Sequence, residues 1–148
     1  MAKLYRSMYE QDGQPKAGND DFQLGVRVPP HRDADVRPEG DYVNPGSGGM
    51  SVFVSLKKLP GRLIPARLRD LYPNDLQKAR GDNALVVWCM GDGEFREGPV
   101  TALLVLRLDK PGERRHGLVE PGMRMTLSDY QAELQSTAGE WTVCEEPE

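Results

Sequence analysis

Histidine and cysteine are nearly missing from this chain, with two of each among 148 residues. His31, His116, Cys89 and Cys144 make no metal-ligand spacing, which excludes the zinc ribbons and fingers built from such groups. Cys89 lies in the apolar run LVVWCM and reads as a small buried hydrophobe, Cys144 belongs to the tail, and both are expected to be reduced thiols. Long hydrophobic runs are missing as well. The longest apolar stretches fall far short of the roughly 20 residues that a membrane helix needs, and the opening MAKLYRSMYEQDG has no apolar core of a signal peptide. The expected setting is therefore aqueous and cytoplasmic, with no membrane partner. Nor is there an excess of positive charge: 19 Lys and Arg stand against 23 Asp and Glu, a net of −4. That balance removes the broad basic footprint of a nucleic-acid binder. Local basic clusters at Arg62–Arg69 and Arg114–Arg115 read as solvated surface that can still meet a single anionic ligand.

What the chain has in quantity is turn chemistry, with 16 glycines and 12 prolines. Its length suits one domain, 1–148, and one core without disulfide or metal staples. Residues 3–9 alternate as a strand does, and Leu24–Val28 reads as a second short strand. Residues 29–49 carry Pro, Gly and Asn-Pro signals and read as loop. The clearest alternation follows: Met50, Val52, Val54 and Leu56 share one face, while Ser51, Phe53 and Ser55 share the other. Residues 59–81 are basic and Pro-punctuated, with room for short helical pieces. Asn83–Met90 and Thr101–Leu108 are apolar runs expected to pair as antiparallel neighbours covered on both faces. Arg115–Val119 adds a further strand, stopped by Pro121. A helix is expected over Thr126–Thr137, capped by Thr126 or Ser128, with Leu127, Tyr130 and Leu134 on one side. The tail 142–148 reads as frayed. The class is α+β, dominated by strands.

Two segments carry candidate chemistry. In NPGSGGMS, Gly48 and Gly49 precede a strand, which rules out phosphate loops whose glycines open a helix. The turn marks a close backbone approach followed at once by Ser51, or an ordinary tight turn with an exposed serine. In His116-Gly-Leu-Val-Glu-Pro, an extended chain would put His116 and Glu120 on one face, roughly 13–14 Å apart, in different subsites. Each also has a plain reading as a surface or strand residue. A Ser-His-Asp hydrolase lacks its G-x-S-x-G elbow.

Taken in order, LYR at 4–6, V-x-P-G-x-G-G-M-S-V-F at 43–53 and H-G-x-V-E-P-x-x-x-M-x-x-x-x-Y-x-x-x-L at 116–134 resemble bacterial ADP-ribosyltransferase-like toxin domains. Those related to a cytoplasm-acting effector of type VI secretion are the most similar. The resemblance runs from Leu4 to about Trp141 and is sparse between Leu59 and Gly112. It implies a small split β-sandwich with peripheral helices, which binds NAD as substrate in a cleft between its sheets. Arg6 would meet phosphate or ribose oxygens, a task suited to its planar fork. Ser51 would support the nicotinamide ribose, Phe53 would pack on a ring, and His116 would match the family's late histidine. Glu120 would be the glutamate that stabilises the oxocarbenium-like ribose as nicotinamide leaves. Tyr5, Gly48, Gly49 and Met50 complete the implied NAD contacts. The resemblance further implies delivery into a target cell without a signal peptide, a macromolecular acceptor and a cognate immunity protein.

Two other classes stay open at this point. One is a non-catalytic binding module, an immunity or accessory protein, whose acidity suits a basic partner surface. The other is a nucleotide phosphotransferase or hydrolase that would use Arg6 and His116 without Glu120.

Overall fold

The computed structural model describes residues 3–72 and 76–146. Along the chain its strands are β1 (Leu4–Met8), β2 (Glu10–Gln11), β3 (Gln14–Pro15), β4 (Tyr42–Val43), β5 (Met50–Phe53) and β6 (Val86–Met90). They continue as β7 (Gly98–Pro99), β8 (Leu104–Leu108), β9 (His116–Pro121), β10 (Met125–Thr126) and, after helix α1 (Leu127–Gln135), β11 (Thr142–Val143). Seven strands form one sheet in the order β11-β6-β1-β5-β9-β8-β7, with every described pairing antiparallel. β4 with β10, and β2 with β3, make two small ribbons. The fold is thus α+β and strand-dominated, with a single α-helix among the described residues.

Alternation along the strands gives the sheet two buried faces. Leu4, Met8, Met50, Val52, Trp88, Met90, Leu104, Leu106 and Val119 point to the main core, where Tyr130 and Leu134 of α1 cover them. Tyr5, Phe53, Val87 and Cys89 point the other way, into a second core closed by Leu56, Leu59, Ile64, Leu68, Leu76 and Ala79. Covering that second face falls to short 3-10 turns, Leu56–Lys58, Gly61–Leu63 and Ala66–Arg69. Helix α1 begins where Thr126 accepts a hydrogen bond from the Asp129 amide. Its Tyr130 hydroxyl donates to the Val119 carbonyl and so bolts the helix to β9.

Several expectations are corrected by these contacts. β6 and β8 do not pair; β6 lies between β1 and β11, and β8 between β9 and β7, on opposite halves of the sheet. The turn-rich segment between them is too irregular to act as a hairpin. Leu24–Val28 is not a strand, because the Gln131 side chain, in place of a neighbouring strand, bonds both Val26 N and Val26 O at 3.0 and 2.8 Å. Residues 142–145 of the tail are held: β11 pairs with β6, and the Glu145 carboxylate grips Arg67 through two hydrogen bonds at 3.0 and 2.8 Å. Residues 147–148, also expected to fray, lie outside the described residues. The β11 pairing carries Cys144 back alongside β6, where it forms a disulfide with Cys89 in place of the two reduced thiols expected.

Tyr130 is fully buried, and its hydroxyl has no water to turn to once its acceptor is the Val119 carbonyl. Tyr130→Phe leaves that carbonyl one donor short and is expected to cost about 1–2 kcal/mol in urea denaturation, with an unchanged m-value.

Candidate functional site

The ladder between β1 and β5 consists of one register pair, Tyr5 with Phe53, although β1 pairs with β6 along all five of its residues. Past that rung the two strands part and a cleft of about 530 Å³ opens. Arg6 and Ser7 of β1 and Ser51 and Phe53 of β5 line its floor. Asp21, Phe22, Arg27 and Asp33 form the wall on the side of the 18–35 loop, and Arg62 and Leu63 form the opposite wall. The volume lies in the range of small-molecule clefts, about 300–1,000 Å³.

Arg6 bridges the opening. Its Nη1 donates to the Ser51 carbonyl at 2.7 Å and its Nη2 to the Gln23 carbonyl at 2.9 Å. Both acceptors are neutral, and Nε is enclosed without a partner. Burial, partly offset by Asp35 and reinforced by Arg27, pulls the guanidinium down to about 10. A basic group whose folded pKa lies below its unfolded value opposes folding wherever it is charged in both states. Arg6 therefore opposes folding at neutral pH, and that opposition fades only as pH rises above about 10. A cation kept at this cost, with an unsatisfied donor at the floor of a cleft, makes the cleft the candidate functional site.

The loop wall is fixed by its own charges. Asp35 holds Arg27 through Nε at 3.0 Å and Nη2 at 2.8 Å, and Asp21 takes Nη1 at 2.9 Å. At the rim Phe22 has a positive φ of 59°, which a bulky side chain rarely adopts, and its ring meets Tyr9 edge-on at 5.7 Å. Asp20, Asp21 and His31 bring three ligand-type atoms within 4.8 Å of one another. Protein donors already use two of them: Asp20 Oδ1 accepts from the Asp21 amide and Asp21 Oδ1 from Arg27, while His31 Nε2 lies 3.7 and 3.8 Å from those oxygens.

The other residues singled out from sequence fall elsewhere. His116 is paired with Phe53 across β9 and β5, its ring 4.9 Å from the phenyl at 37°, and its Nδ1 lies 3.2 Å from Asp109 Oδ2. It lines a separate hollow of about 250 Å³ with Asp109, Lys110, Glu113 and Arg115. Glu120 is 2% exposed, and its Oε1 accepts from Arg107 Nε at 2.8 Å and from the Gly46 amide at 3.2 Å. It underpins the turn that leads into β5 and does not line the cleft. Tyr5 packs in the second core and Met50 in the main core. Gly48 and Gly49 make room for the protein's own backbone: added Cβ atoms would lie 2.2 Å from Asp35 O and 2.5 Å from Val119 O. The two glycines let the turn settle on β9 and on the 35–36 segment, and neither lines the cleft.

Sequence reading missed Ser7, Asp21, Phe22, Arg27, Asp33 and Leu63. Ser7 carried a signal, since it shares a strand face with Tyr5 two residues before it. The loop residues carried none, because their positions follow from long-range pairings. Arg62 came from a cluster already marked as able to meet an anion. No family model, curated protein or solved structure matches the chain.

Two substitutions test the scaffold under the site. Gly49→Ala puts a methyl against the Val119 backbone and is expected to cost about 1–3 kcal/mol by denaturant unfolding. Glu120→Gln keeps an acceptor for the Gly46 amide but gives up the charge facing Arg107. Since Arg107 is 53% exposed and water can replace its partner, the expected loss is near the low end of about 1–3 kcal/mol.

Proposed function

We propose that the chain is an ADP-ribosyltransferase-like toxin domain of the split-sandwich type, whose cleft between β1 and β5 binds NAD as substrate. The observation that carries this reading is Arg6: a buried guanidinium with an unsatisfied Nε, in one cleft with Ser51 and Phe53. Arg6 comes from the first stretch of the resemblance and Ser51 and Phe53 from the second, and all three line one opening. In the complex Arg6 offers charge and its Nε–H to the diphosphate or ribose oxygens. Ser51 offers a hydroxyl to the nicotinamide ribose, and Phe53 gives the ring a flat apolar surface. The protein would act in the cytoplasm of a target cell, on a macromolecular acceptor, and be held in check by an immunity protein.

A second reading is favoured by one observation. Transfer needs a carboxylate beside the ribose carbon that loses nicotinamide, and Glu120 is committed to Arg107 and Gly46 outside the cleft lining. On this reading the domain binds NAD without breaking it, and acts through a partner.

Proton NMR of the purified protein with NAD separates the two. Ligand line-broadening with release of free nicotinamide is the outcome expected of a transferase or glycohydrolase. Broadening with no release supports the binder. Absence of broadening at millimolar NAD removes both. In either of the first two cases Arg6→Lys, which keeps the charge and loses the fork, is expected to weaken NAD binding about tenfold or more.

A further inference from the structure

Ser7 is used by none of the sequence motifs and by none of the NAD contacts proposed above. It is 4% exposed, it lines the cleft, and its Oγ is enclosed without a hydrogen-bond partner. Native interiors seldom leave a hydroxyl in that condition, because burial strips its water and returns nothing. Two neighbours prevent an escape to solvent. Tyr5 is locked in the second core and Met8 in the main core, so the strand cannot roll Ser7 outward. Counting two residues from the Tyr5–Phe53 rung along each strand sets Ser7 opposite Ser51, where the ladder has already opened. Arg6, the residue before it, brings a second unsatisfied donor, Nε–H, to the same cleft.

We infer that Ser7 is a ligand-binding residue of this cleft. Its hydroxyl and the Arg6 Nε–H are the donors left open for an oxygen-rich anionic group of the phosphate-ester class. The inference deepens the nucleotide reading of the cleft and rests on it for the identity of the ligand. It accounts for a pair of orphaned polar atoms that packing alone leaves unexplained. It also makes a demand that a structural serine does not meet: removing the hydroxyl must leave the free protein unharmed and must impair the complex.

The test combines thermal unfolding of the ligand-free protein with calorimetric titration of inorganic pyrophosphate, ADP-ribose and NAD, on wild type and Ser7→Ala. The expected result is a melting temperature for Ser7→Ala equal to or above that of wild type, with affinity for pyrophosphate and ADP-ribose weakened about tenfold. A drop of more than about 3 °C in the free variant shows that the hydroxyl has a structural partner, and it overturns the inference. So does equal affinity of both proteins for the probes; if NAD still binds, the nucleotide reading survives alone. Pyrophosphate binding that depends on Ser7, without any NAD binding, keeps the subsite and removes NAD as the ligand. If wild type takes up none of the three probes, subsite and nucleotide reading fall together.

Discussion

Arg6 holds together a sheet that its own ladder does not. Between β1 and β5 the backbone supplies one rung, and the guanidinium supplies the next attachment by donating to the Ser51 carbonyl. The same group reaches the Gln23 carbonyl and so fastens the 18–35 loop to the floor. A side chain has taken over work normally done by strand amides, and the space those amides would have filled is the cleft. Burial lowers the proton affinity of the guanidinium, so the link works against folding as it holds the structure. Stability elsewhere has to offset it, and the two cores are where that stability resides.

The two cores divide that task unequally. The main core is closed by a regular helix, with Tyr130 bonded to Val119 and Trp88 donating to the Met8 carbonyl. The second is closed by 3-10 turns, which bury Leu56, Leu59, Ile64 and Leu68 but contribute little backbone regularity. The C-terminal strand compensates. Glu145 clasps Arg67, Tyr72 donates to the Glu145 carbonyl, and Cys144 is joined to Cys89. The segment thus pinned is continuous with Arg62 and Leu63, one wall of the cleft.

How much of this the sequence disclosed follows from the range of the forces involved. Strands β1, β5, β8 and β9 and helix α1 were legible because alternation and capping are local. Thr126, Tyr130 and Leu134 behave as their spacing requires. Pairing partners were not legible: β6 and β8 are both apolar runs, and nothing local says that one lies beside β1 and the other beside β9. The glycines of the 46–49 turn gave the right signal, a close backbone approach, yet the approaching group is β9 and not a ligand. Glu120 gave the right strand face, but its engagement by Arg107 is a cross-strand contact that no spacing reveals. Arg6, Ser51 and Phe53 were legible as residues, and their meeting in one cleft depends on where a ladder stops.

That stopping point also governs compliance. The half made of β11, β6 and β1 and the half made of β5, β9, β8 and β7 meet through Tyr5–Phe53 and the Arg6 strut. A single rung resists torsion weakly, so the hydrophobic layers on the two faces, each built from side chains of both halves, carry the torsional load across the join. The cleft is thus a gap in the hydrogen-bond ladder set between two continuous hydrophobic layers.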